Sequence, residues 1–172
     1  MDLLASFGVI AANGFENIWL WAGNFLILLI LTGILIGFSY RGGRGRIISL
    51  IVAFYAGYAL YIVFPYTDDI VNASGSTTVK AIITIALYLA ATFVPYHFIQ
   101  RLTSGGFGVL SLVPRVILSF LAAAFLLALS YHVFYLSNIY SFPSPIDSLF
   151  APDAYFFWWF IAPLVALVFL VR

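Results

Sequence analysis

Few side chains in this sequence could take part in acid–base or metal chemistry, and they are widely separated. Among 172 residues there are six Asp or Glu, two His and no Cys. The lack of cysteine excludes disulfides, thiolate metal ligands and cysteine nucleophiles. His97 and His132 are predicted to lie near opposite ends of separate helices, so one metal ion or one proton relay cannot use both. We therefore predict no metal site and no cofactor.

Ser74 is the candidate nucleophile. The segment NASGS, residues 72–76, resembles the serine motif of rhomboid-type intramembrane proteases, and His132 is predicted on the same side of the molecule. That chemistry needs serine and histidine on neighbouring helices, with oxyanion donors in a water-filled cavity. Ser74 instead falls in a polar loop before a helix, which Ser76 or Thr77 is expected to cap. A protease is the third hypothesis for function, and no catalytic residue is assigned.

Positive charge is concentrated in the segment SYRGGRGRIISL, residues 39–50. Arginines at a membrane surface bind anionic lipid headgroups, each contributing about 1 kcal/mol, and the glycines between them permit a tight turn between antiparallel helices. A single copy of this motif, without an extended basic surface, does not indicate nucleic-acid binding. We predict contact with membrane lipids or a partner protein through five arginines: Arg41, Arg44, Arg46, Arg101 and Arg115.

The composition indicates which kind of secondary structure carries these polar side chains. The chain is 65% hydrophobic and 8% charged, whereas a soluble domain has about 25% charged residues. Apolar runs of about 20 residues are typical of helices that cross a hydrocarbon core. We predict an all-α, polytopic integral membrane protein with a single domain: a helical bundle of five membrane-spanning helices, or four if the short last run does not cross. The spans are about 18–38, 47–64, 79–99, 116–136 and 155–171, after a segment 1–17 on the outer surface.

If the chain crosses the membrane five times, its arginines and its acidic residues fall on opposite sides of the membrane. The arginines fall on one side, and all six acidic residues fall on the other together with Lys80. Because positively charged short loops stay in the cytoplasm, we expect the N-terminus outside and the C-terminus in the cytoplasm. The acidic residues are Asp2, Glu16, Asp68, Asp69, Asp147 and Asp153.

Small residues indicate where the helices pack. Lipid provides no hydrophobic drive between helices, so close approach at small residues must hold a bundle together. Four spans carry two such residues four positions apart. These pairs are Gly33 with Gly37, Ala53 with Gly57, Ala86 with Ala90, and Ser119 with Ala123.

A second hypothesis for function concerns transport. No carboxylate lies inside a predicted span, although coupled transport usually needs an ionisable group at membrane depth. An autonomous coupled transporter is therefore not predicted. A pore or transporter subunit, formed by several copies of the chain, would line its path with Asn24, Thr84, Thr92 and Tyr58.

Two linking segments are unusually apolar. Residues 103–115 carry three glycines and predict a surface-lying or re-entrant segment, or an early start to the fourth span. The outer loop, residues 137–154, holds several apolar side chains between its prolines. These side chains either enter the outer membrane interface, which we favour, or form a surface that docks a partner; they are Phe142, Ile146, Leu149 and Phe150.

The order of elements resembles the colicin V production (CvpA) family of small bacterial inner-membrane proteins, over about residues 20–136. RGGRGRIISL is similar to that family's arginine–glycine turn before its second span, through Arg41, Gly42, Arg46, Ser49 and Leu50. SGGFGVLSLVPRVIL is similar to its glycine-rich link before span four, although Val116 stands in place of a glycine. The resemblance implies an envelope role in export or membrane homeostasis, without a catalytic site. The first hypothesis is therefore a non-enzymatic subunit, scaffold or assembly factor of a bacterial inner membrane, whose partners are other membrane subunits or copies of itself.

Overall fold

The computed structural model describes residues 23–41, 43–73, 75–103, 111–134, 136 and 139–170. These residues form seven α-helices and no β-strand. The helices are α1 (Leu26–Tyr40), α2 (Gly43–Val63), α3 (Thr67–Asn72), α4 (Thr77–Thr103), α5 (Leu112–His132), α6 (Ser144–Phe150) and α7 (Asp153–Leu170). Four of them, α2, α4, α5 and α7, are long and apolar enough to cross a membrane.

The four long helices confirm the all-helical prediction and lie on the predicted spans 47–64, 79–99, 116–136 and 155–171. Each begins two to four residues before the predicted boundary. The start of α5 at Leu112 places the end of the glycine-bearing link in the helix itself. Residues 104–110 of that link lie outside the described part of the chain.

The first predicted span is only partly described. α1 is apolar and has 15 residues, a length of about 22 Å at 1.5 Å per residue. A hydrocarbon core is about 30 Å thick, so α1 alone is shorter than a span. Residues 18–22 of the predicted span, and the predicted outer segment 1–17, lie outside the described residues.

α5 forms the core of the bundle. It packs against both α1 and α7, and Ala122, Ala123, Ala124 and Ala128 are fully buried. Alanine side chains let neighbouring backbones approach closely, and in lipid the resulting van der Waals contact favours helix association. Of the α5 span, 56% is buried, compared with 17% for α4 and 6% for α7. The helices other than α5 therefore leave much of their apolar surface uncovered by this chain.

α2 and α4 form the other close pair. Gly57 of α2 stands directly against Thr92 of α4: a Cβ atom at Gly57 would lie 2.8 Å from the Thr92 Cα. One turn away, the hydroxyl of Tyr88 donates to the carbonyl oxygen of Phe54 at 3.2 Å. The glycine thus permits a backbone approach that no larger residue would allow.

Two of the four small-residue pairs lie in helix contacts. Ala53 is fully buried near Gly57, and Ser119 and Ala123 are fully buried on α5. Gly33 and Gly37 have no neighbouring atom within 4 Å of where a Cβ would stand, because α1 turns another stripe toward the core: Leu28, Thr32, Leu35 and Ser39. Ala86 and Ala90 are likewise exposed, because α4 buries a different stripe: Ala81, Thr84, Tyr88 and Thr92.

The link between α5 and α7 folds back into the bundle. Phe142, Ile146 and Phe150 are buried, and the Phe150 ring stacks on that of Trp159, with centroids 4.7 Å apart. The prediction that these side chains enter the membrane interface or dock a partner is therefore wrong for these three. The reason is that α6 places Ile146 and Phe150 one turn apart on the side that packs against α5 and α7. Leu149 is exposed.

Candidate functional sites at the two ends of the bundle

Polar side chains gather at the two ends of the bundle. The basic end comprises the C-termini of α1 and α4 and the N-termini of α2 and α5; the acidic end comprises α3, α6, the N-termini of α4 and α7 and the C-termini of α2 and α5. At the basic end Arg41 and Arg101 are exposed. Of Arg44 only the backbone, in the first turn of α2, is described. Arg41 and Arg101 are thus accessible from outside the bundle.

Arg46 is half-buried where α1, α2 and α4 meet. Its guanidinium carbon lies 5.2 Å from the ring centroid of Phe38, and the rings of Phe38 and Tyr96 have centroids 6.0 Å apart. A guanidinium over an aromatic face is stabilised by about 0.5–2 kcal/mol. The Nε atom of Arg46 is buried and has no hydrogen-bond acceptor among the described residues. Arg46 therefore ties the first turn of α2 to α1 as well as carrying charge.

Arg115 is buried, with 6% of its surface exposed. Its guanidinium carbon lies 4.3 Å from the ring centroid of Tyr40, so it joins the first turn of α5 to the C-terminus of α1. The sequence predicts that Arg115 contacts lipid or a partner; the structure encloses it between helices, because α1 packs along α5. Of the five arginines predicted to contact lipid or a partner, Arg46 and Arg115 thus contact neighbouring helices, whereas Arg41 and Arg101 are exposed.

His132 links α5 to α6 and α7 at the acidic end. Its Nε2 lies 3.0 Å from the Phe150 carbonyl oxygen, and its Nδ1 lies 3.3 Å from Oδ1 of Asp153. A carbonyl oxygen only accepts hydrogen bonds, so Nε2 donates in the contact with Phe150. His97 lies on α4 toward the basic end, so the two histidines are at opposite ends, as predicted.

The protease hypothesis depends on Ser74, which lies outside the described residues. The histidine it requires is His132, whose Nε2 faces the Phe150 carbonyl oxygen. Nε2 must donate in that contact, whereas a general base must accept a proton from its serine. This arrangement of His132 gives the hypothesis no support.

The four residues predicted to line a pore lie in different surroundings. Thr84 and Thr92 are on the buried stripe of α4, and each hydroxyl donates to the carbonyl oxygen four residues earlier in the same helix, at 2.9 and 2.8 Å. Tyr58 of α2 faces α7, with its ring centroid 5.5 Å from that of Phe160. Asn24 is half-buried just before α1. Within one copy of the chain, Thr84 and Thr92 thus lie on the buried side of α4, whereas Tyr58 contacts α7.

An aromatic cluster joins α2, α5 and α7, and sequence reasoning did not predict it. The rings of Tyr55 and Phe125 stack with centroids 4.7 Å apart, and the Phe160 ring lies 5.0 Å from Tyr55 and 5.4 Å from Phe125. The Tyr55 hydroxyl donates to the Phe160 carbonyl oxygen. The neighbouring Trp159 carbonyl oxygen lacks its usual donor within the helix, because Pro163 has no backbone N–H. Pro163 marks the turn of α7 in which this contact lies, because a proline inside a membrane helix frees a carbonyl oxygen of that turn.

In the described part of the chain, the charged side chains lie at the two ends of the bundle. Every described arginine is at the basic end, and Asp68, Asp69, Asp147 and Asp153 are at the acidic end with Lys80. Between the ends, the exposed side chains of the long helices are mostly apolar. No family model, curated protein or solved structure matches the chain.

Proposed function

We propose that this chain crosses the membrane five times, with its N-terminus outside and its C-terminus in the cytoplasm. It serves as a non-enzymatic subunit, scaffold or assembly factor of a bacterial inner membrane, connected with export or membrane homeostasis as the CvpA resemblance implies. The observation that carries the proposal is the small share of α4 and α7 that the chain itself buries, 17% and 6% of their spans.

The uncovered faces of these two helices are large and apolar. On α4, Phe93, Val94 and Leu102 are more than 60% exposed, and on α7 the same holds for Trp158 and Phe169. In a bilayer, acyl chains or the helices of another membrane protein cover such faces. Most described residues belong to the four long helices, so binding to a partner would use these faces.

The exposed arginines suit an orientation with the basic end in the cytoplasm. Arg41 and Arg101 stand at the C-termini of α1 and α4, and neither is enclosed by the bundle. The cytoplasmic leaflet is rich in anionic lipids, and each arginine near its surface contributes about 1 kcal/mol to the attraction. Lipid contact at this end would favour that orientation and would hold the bundle at a fixed depth.

The composition of the particle in mild detergent tests the proposed role. We expect native mass spectrometry of the purified protein to detect a complex with at least one other membrane protein. Ala90→Trp on α4 and Val168→Trp on α7 add bulk to the two uncovered faces, and the variant on the partner-binding face should lose the partner while the other keeps it. A particle containing only this chain and lipid would contradict the proposal.

A pore or transporter subunit is the second candidate, and Gly33 and Gly37 favour it. They form an exposed small-residue face on α1, and such faces associate in lipid because the backbones can approach closely. A symmetric homo-oligomer that dissociates on Gly33→Leu, but not on Ala86→Leu of α4, would support this candidate. Flux through liposomes containing only this protein would be the functional evidence.

Neutralising three arginines is expected to weaken or invert the orientation. The variant carries Gln at positions 41, 44 and 46. Because the chain has no cysteine, single substitutions Ser76→Cys at the acidic end and Ser111→Cys at the basic end report orientation by labelling with a membrane-impermeant maleimide. In the parent, only the cysteine at position 76 should react from outside; in the variant, position 111 should become reactive in a large share of molecules.

The matched control removes two charges of the other sign. Asp68→Asn with Asp69→Asn should leave the labelling pattern unchanged, because acidic residues contribute little to orientation. Equal labelling patterns in the arginine variant and its parent would argue against the role of these arginines in orientation.

A further inference from the structure

A cavity of about 380 Å³, here the α3 cavity, opens at the acidic end between α2, α3 and α4. Thr67, Asp68 and Asn72 line it from α3, and Lys80 lines it from the first turn of α4. Its volume falls within the range of small-molecule sites, about 300–1,000 Å³. A second cavity of about 280 Å³ shares Tyr61, Thr67 and Asp68 with it, so the two spaces adjoin.

Two opposite charges line the α3 cavity without pairing with each other. The Lys80 Nζ donates to Oδ1 of Asn72 at 3.3 Å, and in the described part of the chain Asp68 forms no ion pair with Lys80. Asp68 and Asn72 are four residues apart on α3, so their Cβ atoms lie about 5–6 Å apart on one face. The ammonium group of Lys80 therefore lies at Asn72, while Asp68 lines the same cavity from the preceding turn of α3.

We propose that the α3 cavity binds a small zwitterion. The ammonium group of the ligand lies at Asp68, and its carboxylate or phosphate lies at Lys80. A ligand that carries both charges satisfies both groups at once. A simple anion at Lys80 would be repelled by Asp68, and a simple cation at Asp68 would be repelled by Lys80, because both charged groups line the same cavity.

Two sources offer this chemistry at a membrane surface. One is a free amino-acid-like zwitterion, and the other is the phosphoethanolamine headgroup of a lipid. Both present an ammonium group and an anionic group a few bonds apart. The site is defined by the paired charges, and the source is decided by experiment.

Calorimetric titration of the full-length protein in non-ionic detergent tests the site. The probes are glycine and O-phosphoethanolamine as zwitterions, with acetate and ethylammonium as the single-charge halves. We expect at least one zwitterion to bind, and each half to bind at least about tenfold more weakly, because each loses one charge-assisted hydrogen bond. Phosphatidylethanolamine and phosphatidylglycerol, added to the micelles in turn, show whether a lipid headgroup competes for the site.

Charge-removing variants locate the binding. Asp68→Asn and Lys80→Gln should each weaken zwitterion binding by about tenfold or more, whereas Asp68→Glu and Lys80→Arg keep the charges and should keep measurable binding. Asp69→Asn is the matched control, because Asp69 neighbours Asp68 on α3 but lines neither cavity. The unfolding temperature of each variant, measured in the same detergent, shows that it is folded.

Glycine binding without competition from phosphatidylethanolamine supports the proposal and assigns the site to a free zwitterion. Competition by phosphatidylethanolamine, but not by phosphatidylglycerol, supports it and assigns the site to a lipid headgroup. The proposal is overturned if wild-type protein binds neither. It is also overturned if Asp69→Asn weakens binding as much as Asp68→Asn, since affinity would then follow only the total charge of α3.

Discussion

Substitution of Gly57 by leucine is expected to separate α2 from α4 and to cause a large loss of stability. A Cβ atom alone at this position would lie 2.2 Å from Oγ1 and 2.8 Å from Cα of Thr92. A rotamer change of Thr92 can move its Oγ1 but not its Cα, so the helix backbones must shift. Gly57→Ala should therefore cost about 1–3 kcal/mol, as overpacking does, and Gly57→Leu should cost more.

The measurement is unfolding in mixed micelles, followed by circular dichroism as the fraction of denaturing detergent increases. Gly33→Ala and Gly37→Ala are matched controls in α1, since no neighbouring atom lies within 4 Å of their added methyl groups. Both should be as stable as the parent or up to about 1 kcal/mol more stable, because alanine has the higher helix propensity. Combining Gly57→Ala with Thr92→Ala should restore stability only in part, because the contact with the position 92 backbone remains. A Gly57→Ala protein as stable as its controls would show that α2 and α4 are not packed this closely.

Truncation of Phe125 is the second change with a large expected effect. Phe125 is fully buried on α5, where it stacks on Tyr55 of α2 and contacts Phe160 of α7. Phe125→Ala should destabilise the fold by about 3 kcal/mol, the lower end of the range for Phe→Ala in soluble cores. The lower end applies because both the folded and the dissociated helices lie in lipid, so the loss is of packing rather than of hydrophobic transfer.

Phe157→Ala provides the control, because Phe157 is on α7 but is 58% exposed. It removes the same side chain and should change stability by less than about 0.5 kcal/mol. Tyr55→Phe separates the hydrogen bond from the ring stacking: it removes only the donor to the Phe160 carbonyl oxygen and should cost about 0.6 kcal/mol, typical of such bonds in membranes. Equal stability losses for Phe125→Ala and Phe157→Ala would mean that the aromatic cluster does not hold α7 to the bundle.

Part of the candidate sites could be foreseen from particular residues. The concentration of arginine in residues 41–46 and of aspartate in the opposite links predicted two ends of unlike charge, which the described residues show. Which of the arginines would be buried and which would be exposed could not be foreseen from the sequence. Arg115 stands at a helix start, as Arg101 stands at a helix end, yet only Arg115 is enclosed, because α1 places Tyr40 over its guanidinium. The α3 cavity was also missed, since it depends on a six-residue helix that turns Asp68 and Asn72 toward Lys80.

The sequence by itself determined the all-helical class and the positions of the four helices that are long and apolar enough to cross a membrane. Runs of about 20 apolar residues must be helical in lipid, because every backbone donor and acceptor there has to be satisfied within the segment. Only the tertiary structure decided which side of each helix faces its neighbours. A helix in lipid is apolar on all sides, so its hydrophobic pattern does not distinguish the packed face from the lipid face. Gly33 with Gly37 and Ala53 with Gly57 have the same spacing, yet only the second pair is packed, because helix contact in lipid depends on the fit between particular side chains.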